Sequence, residues 1–285
     1  MIIDLIVRLV YFKKRKTMTE QITLNIKGNS LWKALKPKVL CSLGLSSQKG
    51  GGIRIKSKLK KLKLLTKRNI LLIKHTEDGF FSSSSIDRGT LNQVTKEVQK
   101  FKGKPFDLIL HTPGGDPFSS LFISRIIKNY PKQVRAVVPL YAMSGGTILA
   151  LSCEKILMGE NACLGPVDPQ LGNLLSYGSA KNWEKILKFK GKKTEDDSIN
   201  MAYTGKQYSK SIKKYMDKII DFGLTKQKKK EFIDFITSGK VEHAFPLIVD
   251  DLKNYGFLIE EIPKKQVEMI MEIVTSKHGE GVTGV

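Results

Sequence analysis

The stretches FDLILHTPGG at residues 106–115 and VRAVVPLYAMSGGT at residues 134–147 contain the same features in the same order. Each begins with a run of apolar residues that predicts a buried β-strand, and each carries paired glycines soon after that run. Apolar residues at helical spacing follow both glycine pairs, at residues 117–129 and 148–153. Strands that alternate with helices of this length predict a parallel or mixed sheet covered by helices, so the fold class is α/β.

The alternation continues on both sides of these stretches. After residue 172 the chain becomes helical and basic, and a last apolar run predicts a closing strand. The further predicted elements are strands at residues 69–75, 156–158 and 257–262 and helices at residues 90–101, 181–189, 198–222 and 226–237. The chain is therefore expected to add helical segments to the C-terminal side of an α/β core.

We divide the chain into three parts: an N-terminal extension at residues 1–54, a folded domain at residues 55–262 and a C-terminal tail at residues 263–285. The extension ends near three consecutive glycines, Gly50–Gly52, which predict a flexible joint. Residues 54–68 carry eight lysines and arginines between isoleucines and leucines, which predicts an amphipathic helix with a solvated basic face.

The first residues favour neither a membrane span nor a secretion signal. Met1–Phe12 is shorter than the roughly 20 apolar residues that cross a bilayer, and its positive charges follow the apolar run instead of preceding it. Two interpretations stay open: the native chain starts at Met18, or the N-terminus makes a weak amphipathic contact with a membrane. We expect a cytoplasmic protein because the three cysteines show neither a disulfide nor a zinc-site spacing.

The charge balance points to acidic partners without naming a reaction. Of 285 residues, 49 are Lys or Arg and 27 are Asp or Glu, which leaves a net charge of +22. Such a surface favours contact with nucleic acid, an anionic membrane or acidic proteins. The glycine pairs lack the spacing of a nucleotide-binding loop, so no cofactor is expected.

The two glycine turns have the composition of a nucleophile and an oxyanion hole. Ser144 stands at the predicted start of a helix, where its hydroxyl is exposed and the N–H of Gly145 faces outward. Gly114 and Gly115 let the other backbone turn approach closely and aim N–H groups at a developing negative charge. By itself Ser144 is more typical of a helix cap, and only the second turn favours the catalytic interpretation.

These motifs resemble the Clp protease and signal peptide peptidase A superfamily with its crotonase-like spiral fold. Within it, the closest resemblance is to the serine dehydrogenase proteinase family, in Leu110–Gly115 (LHTPGG), Gly165–Gln170 (GPVDPQ) and Ser238–Lys240 (SGK) with His243 and Pro246. The resemblance covers roughly residues 55–262. It implies a Clp/crotonase-like spiral of ββα units and a self-assembling peptidase that acts on peptides or unfolded proteins. It also implies Ser144 as nucleophile, with Gly114, Gly115 and Gly145 around the oxyanion.

The general base is left open by the sequence. The Clp protease branch has a histidine about 25 residues after its serine, whereas this chain has Asp168 in the matching stretch. The signal peptide peptidase branch pairs serine with lysine, and Lys185 and Lys206 lie on predicted helices. Spacing does not select between them, and we favour Lys206 slightly because it has apolar neighbours in its helix. Asp168 either orients a base or forms a turn before Pro169. His243 is a further candidate, against the default of a surface or interface histidine.

Two other functions fit the same residues. An acyl-CoA enzyme of the crotonase type would use the oxyanion hole for a thioester enolate, although it needs a catalytic carboxylate in place of Ser144. An inactive member of the fold would use its basic surface to bind nucleic acid or an anionic membrane. We favour a serine peptidase with a Ser–Lys dyad that forms homo-oligomers.

Overall fold

The computed structural model of the chain describes residues 49–75, 84–172, 177–191, 195–276 and 280–285. The helices in these ranges are α1 (Lys49–Thr66), α2 (Arg88–Lys100), α3 (Pro117–Lys128), α4 (Gly145–Leu151), α5 (Ala180–Lys190), α6 (Asp196–Ile219), α7 (Lys226–Thr237), α8 (Val249–Tyr255) and α9 (Lys264–Val274). The strands are β1 (Asn69–Lys74), β2 (Phe106–His111), β3 (Val134–Val138), β4 (Tyr141–Ala142), β5 (Lys155–Met158), β6 (Cys163–Leu164), β7 (Gln170–Gly172), β8 (Tyr177–Ser179), β9 (Leu247–Ile248), β10 (Ile259–Glu261) and β11 (Gly281–Gly284).

The main sheet has six strands in the order β10-β5-β3-β2-β1-β11. The strands from β10 to β1 run parallel, in a register that places Leu71 beside Leu108 and Leu108 beside Ala136. The edge strand β11 runs antiparallel to β1. Helices connect the central parallel strands, so the predicted α/β class is confirmed.

Each face of this sheet packs against its own hydrophobic core. Alternate residues of β1 point to opposite faces, so Leu71 and Ile73 join one core while Ile70 and Leu72 join the other. Helices α2, α3, α4 and α7 contribute to the first core, and α1 and α9 cover the second. The strands of such a sheet are buried on both faces, which explains their continuous apolar sequences.

The ends of the fold differ from the sequence-based boundaries. Helix α1 begins at Lys49 and includes Gly50–Gly52, so the glycines expected to form a joint lie in a helix. Past Ile262, α9 packs into the second core and β11 pairs with β1, so these elements continue the fold where a tail was expected. Contacts between segments far apart in the chain bring α9 and β11 into the fold. The features predicted within residues 1–48 lie outside the described residues.

Two arginines close over a buried carboxylate at the start of the central strands. Asp107 on β2 is 2% exposed, and its side chain accepts from Arg68 Nε at 2.6 Å. Arg135 on β3 binds the same carboxylate through Nε at 2.8 Å and Nη2 at 2.7 Å. Asp107 and the two arginines join the segment before β1 to β2 and β3. They lie at the amino-terminal ends of these strands, opposite the glycine turns.

None of the described helices is long and apolar enough to cross a membrane.

Candidate active site

The two glycine turns lie in contact at the carboxyl ends of β2 and β4. Met143 N donates to Thr112 O at 2.9 Å, and Thr112 forms a bridge with Ala142. Gly114 has φ +108°, and a Cβ added to it would lie 2.7 Å from Cβ of Ser144. Only glycine fits both this backbone conformation and this close approach, so the first turn packs directly on the second.

Ser144 has the backbone conformation of a residue held under strain. Its φ of 49° and ψ of −114° lie in a region that residues with a side chain rarely adopt, which costs about 1–3 kcal/mol. Its side chain makes no capping hydrogen bond to α4. The hydroxyl therefore does not cap the helix, and Ser144 lines a cavity.

Two backbone N–H groups beside Ser144 are free to bind an anion. Gly114 N is already engaged, because it donates to Thr112 Oγ1 at 3.1 Å. The N–H groups of Gly115 and Gly145 donate to no acceptor in the described part of the protein. They lie close together, since a Cβ added to Gly145 would be 3.5 Å from Gly115 N. This pair has the arrangement of an oxyanion hole.

The cavity has a volume of about 450 Å³ and combines polar and apolar walls. Ser144, Gly114, Gly115 and Gly145 form one wall, and Ile148, Val167 and Ile212 supply apolar surface. Asp168, Gln170 and His243 line the same cavity. A concave site with convergent polar groups and an apolar wall is typical of a ligand or substrate site.

A histidine and a buried carboxylate are hydrogen-bonded to each other at this cavity. His243 Nδ1 and Asp168 Oδ1 are 2.8 Å apart, and the side chain of His243 is 32% exposed against 2% for Asp168. The second oxygen, Asp168 Oδ2, accepts from Gln170 Nε2 at 2.7 Å. Gly239 (φ +59°) brings its backbone close enough that an added Cβ would lie 3.3 Å from Asp168 Oδ2. These contacts fix the carboxylate, which in turn fixes the imidazole ring.

The two lysines predicted as bases are placed elsewhere. Lys185 on α5 and Lys206 on α6 are exposed, and neither lines the cavity. The structure brings together Ser144, Asp168 and the three glycines, and it adds His243. The participation of His243 in the site was difficult to predict from the sequence, because 75 positions separate it from Asp168. The available signal was the distal motif of Ser238–Lys240 and His243.

Two other residues with potentially reactive side chains, His111 and Cys153, are buried in the interior. His111 is 5% exposed and packs against the ring of Tyr141 at a centroid distance of 4.3 Å. Cys153 is buried, and burial raises the pKa of its thiol well above the ordinary value, which suits a core residue and not a nucleophile. Among the residues that the structure describes, no cluster of three or more His, Cys, Asp or Glu could hold a metal ion.

A comparison with protein families identifies the chain. Residues 90–280 match the family model of the ClpP-like SDH-type serine proteinases. The chain belongs to this family. Its membership confirms the resemblance drawn from the glycine turns and the distal motif.

Two relatives of this family member occur in Methanocaldococcus jannaschii. The uncharacterized protein MJ0137 is 36% identical over 173 residues, which cover 60% of this chain and 59% of MJ0137. The uncharacterized protein MJ1495 is 34% identical over 167 residues, covering 58% and 56% of the two chains. The chain thus matches less than two thirds of the length of these relatives.

Solved proteases also resemble this family member at low identity. A lysine-to-alanine mutant of the 1510-N membrane-bound stomatin-specific protease, in complex with a substrate peptide, is 17% identical with a TM-score of 0.45. That match covers 64% of this chain and 74% of the protease. ClpP1 from Listeria monocytogenes is 18% identical with a TM-score of 0.46, covering 72% and 98%.

Proposed function

We propose that the protein is a peptidase in which Ser144 is the nucleophile, His243 the general base and Asp168 the carboxylate that orients the base. The observation that carries this proposal is the 2.8 Å hydrogen bond between His243 and a buried Asp168 on the cavity that Ser144 lines. The proposal replaces the lysine base expected from the sequence, because both lysines are exposed outside the cavity.

The roles follow from the hydrogen bonds of the ring. His243 donates from Nδ1 to Asp168, which leaves Nε2 unprotonated and able to accept the hydroxyl proton of Ser144. The oxygen of Ser144 then attacks the carbonyl carbon of a peptide bond, and the carbonyl oxygen becomes an oxyanion. Asp168 stabilises the imidazolium that forms in this step.

The backbone receives the negative charge of the tetrahedral intermediate. The N–H groups of Gly115 and Gly145 donate to the oxyanion, and the imidazolium returns its proton to the departing amine. Water next attacks the acyl-enzyme, with His243 again as the base, and releases the acid and Ser144. Each proton that leaves the serine or the water is thereby returned to a leaving group.

Peptides and unfolded proteins are the proposed substrates, with an aliphatic side chain beside the scissile bond. Ile148, Val167 and Ile212 support this choice, because they form an apolar wall of the cavity near Ser144. A buried methylene group contributes about 0.8 kcal/mol, so a leucine side chain gains more from this wall than a charged one. Assembly of several copies, as the family resemblance implies, stays a prediction.

Labelling with a fluorophosphonate probe, followed by peptide mapping, tests the proposal. The wild type should carry the label on Ser144, and Ser144→Ala should carry none. His243→Ala should slow labelling by roughly 10³-fold or more, since the members of such a triad act as a unit. Lys185→Ala and Lys206→Ala are the matched controls and should label within about twofold of the wild type, as exposed residues outside the site.

Two results would contradict this assignment. Equal labelling of His243→Ala and the wild type would remove His243 as the base, and loss of labelling in one lysine variant would restore the Ser–Lys dyad. If the folded wild type takes no label, the nucleophile itself is refuted. An inactive protein with a basic binding surface would then be the better account.

A further inference from the structure

A second histidine, His75, contacts the turn that contains Gly114 and Gly115. It follows β1 directly, is 2% exposed and has no part in the catalytic steps described above. Its Nδ1 is 2.9 Å from Thr112 Oγ1, and its Nε2 is 3.5 Å from Thr90 Oγ1. A histidine that is so deeply buried needs partners for both ring nitrogens, and here both partners are threonine hydroxyls.

The hydrogen bond from Thr90 to Asp87 fixes which ring nitrogen of His75 donates and which accepts. Thr90 Oγ1 donates to Asp87 Oδ1 at 2.9 Å, so its oxygen is left to accept from His75 Nε2–H. His75 Nδ1 is then the acceptor of the ring. Thr112 Oγ1 therefore donates its single proton to this nitrogen at 2.9 Å in preference to Gly114 O at 3.5 Å, and its lone pairs are left to accept from its own turn.

The same hydroxyl of Thr112 holds the glycine turn. It accepts from Gly114 N at 3.1 Å, and Gly114 is the residue in contact with Ser144. The peptide unit before Gly114 is thereby fixed, and the next N–H along the chain is the free group of Gly115. A relay of hydrogen bonds therefore runs from Asp87 through Thr90, His75 and Thr112 to the turn.

We propose that His75 is a positioning residue that acts through Thr112 to hold the Gly114–Gly115 turn in the conformation that aims Gly115 N–H at the oxyanion. This inference rests on the proposed peptidase function. A displacement of about 1 Å at a reacting group costs about 100-fold in rate. A hydrogen-bond relay that limits the displacement of the turn therefore has a measurable effect on the reaction rate.

The atoms of the ring suggest a matched pair of variants. Asparagine carries its polar atoms at the δ position, where Nδ1 stands, so His75→Asn keeps an acceptor for Thr112. Glutamine carries them at the ε position, so His75→Gln keeps the contact with Thr90 and loses the one with Thr112. The two variants differ by one methylene group, and the proposal predicts opposite results for them.

The test measures the saturable rate constant and the half-saturating concentration of fluorophosphonate labelling. His75→Gln and Thr112→Val should each lower the rate constant by about 10–100-fold with an unchanged half-saturating concentration, whereas His75→Asn should stay within about threefold. The double variant His75→Gln/Thr112→Val should be no slower than Thr112→Val alone, because both changes break the same relay. Thermal unfolding of each variant identifies those that are folded.

The outcomes separate this inference from the function on which it rests. Labelling of folded His75→Gln and Thr112→Val at the wild-type rate overturns the positioning role while the peptidase assignment stands. Equal losses in His75→Asn and His75→Gln, or a double variant that multiplies the two losses, also overturn it. If His75→Gln does not fold, Thr112→Val decides alone. A folded wild type that takes no label overturns both the function and the inference.

Discussion

Replacing Gly145 by alanine tests the contact between α3 and α4 that positions Ser144, the proposed nucleophile. A Cβ on Gly145 would lie 2.3 Å from Oγ of Ser120 and 3.2 Å from its Cβ. Carbon atoms in ordinary contact are about 3.5–4.0 Å apart, so both distances are too short. Ser120 is fully buried, and its hydroxyl donates to Asp116 O at 3.0 Å.

The size of the effect follows from these distances. Turning the hydroxyl of Ser120 away relieves the shorter contact but breaks its hydrogen bond, at about 0.5–1.5 kcal/mol. The Cβ–Cβ contact then still requires α4 to move by roughly 0.3–0.8 Å to reach an ordinary separation. Overpacking of this kind destabilises a protein by about 1–3 kcal/mol in total. Since 1 Å costs about 100-fold in rate, we expect Gly145→Ala to label about tenfold more slowly.

A second substitution on α3 should reverse the loss. Ser120→Gly removes both clashing atoms, so Gly145→Ala/Ser120→Gly should recover most of the labelling rate, although glycine within a helix costs about 1 kcal/mol of stability. Ser124→Gly is the matched control, because Ser124 is a buried serine of the same helix that is not among the nearest contacts of Gly145. Fluorophosphonate labelling and urea unfolding measure the two effects. An unchanged rate and stability in Gly145→Ala, or equal recovery by Ser124→Gly, would refute this reasoning.

Two further predictions concern charges in the fold. Burial lowers the pKa of His75 below its ordinary value of 6.5, against smaller opposing effects of Asp87 and Glu280. The unfolded chain therefore takes up this proton first as pH falls, so the free energy of unfolding should fall below pH 6.5 by up to about 1.4 kcal/mol per pH unit and be unaffected above it. His75→Gln should lose that part of the slope in urea unfolding from pH 4 to 8, and an unchanged slope would count against a buried neutral ring. Asp107→Asn should lower the free energy of unfolding by about 3–5 kcal/mol, because Arg68 and Arg135 lose their charged partner in a buried site. Glu260→Gln, which breaks the exposed pair with Lys155, is its control and should cost less than about 1 kcal/mol; similar losses for both would contradict the role of burial.

Local sequence was sufficient for the central part of the fold and half of the site. Strands buried on both faces are continuous apolar runs, so Phe106–His111 and Val134–Val138 were predicted within a few residues of their observed ends. The paired glycines mark positions where the backbone itself must allow close approach, and Ser144 with Gly145 stands in such a turn. These features depend on neighbours in the chain, which is why Ser144 and the glycines of the proposed oxyanion hole could be predicted from local sequence.

Pairings across long stretches of chain could not be predicted in this way. Many exposed lysines share one local pattern, so nothing in the sequence distinguished Lys185 or Lys206 from a solvated residue, and both lie outside the cavity. The antiparallel pairing of β11 with β1 joins residues about 210 positions apart, and it brought residues called a tail into the sheet.

The sequence by itself determined the α/β class, the two glycine turns and the serine between them, because spacing and residue type impose each of these locally. Only the tertiary structure decided which groups line a cavity with that serine and which support the glycine turn beside it. Asp168 acquires His243 through a contact between segments 75 residues apart, and Thr112 acquires His75 from a neighbouring parallel strand. The physical reason is that burial in one cavity or core selects these partners, and burial is a property of the packed chain as a whole.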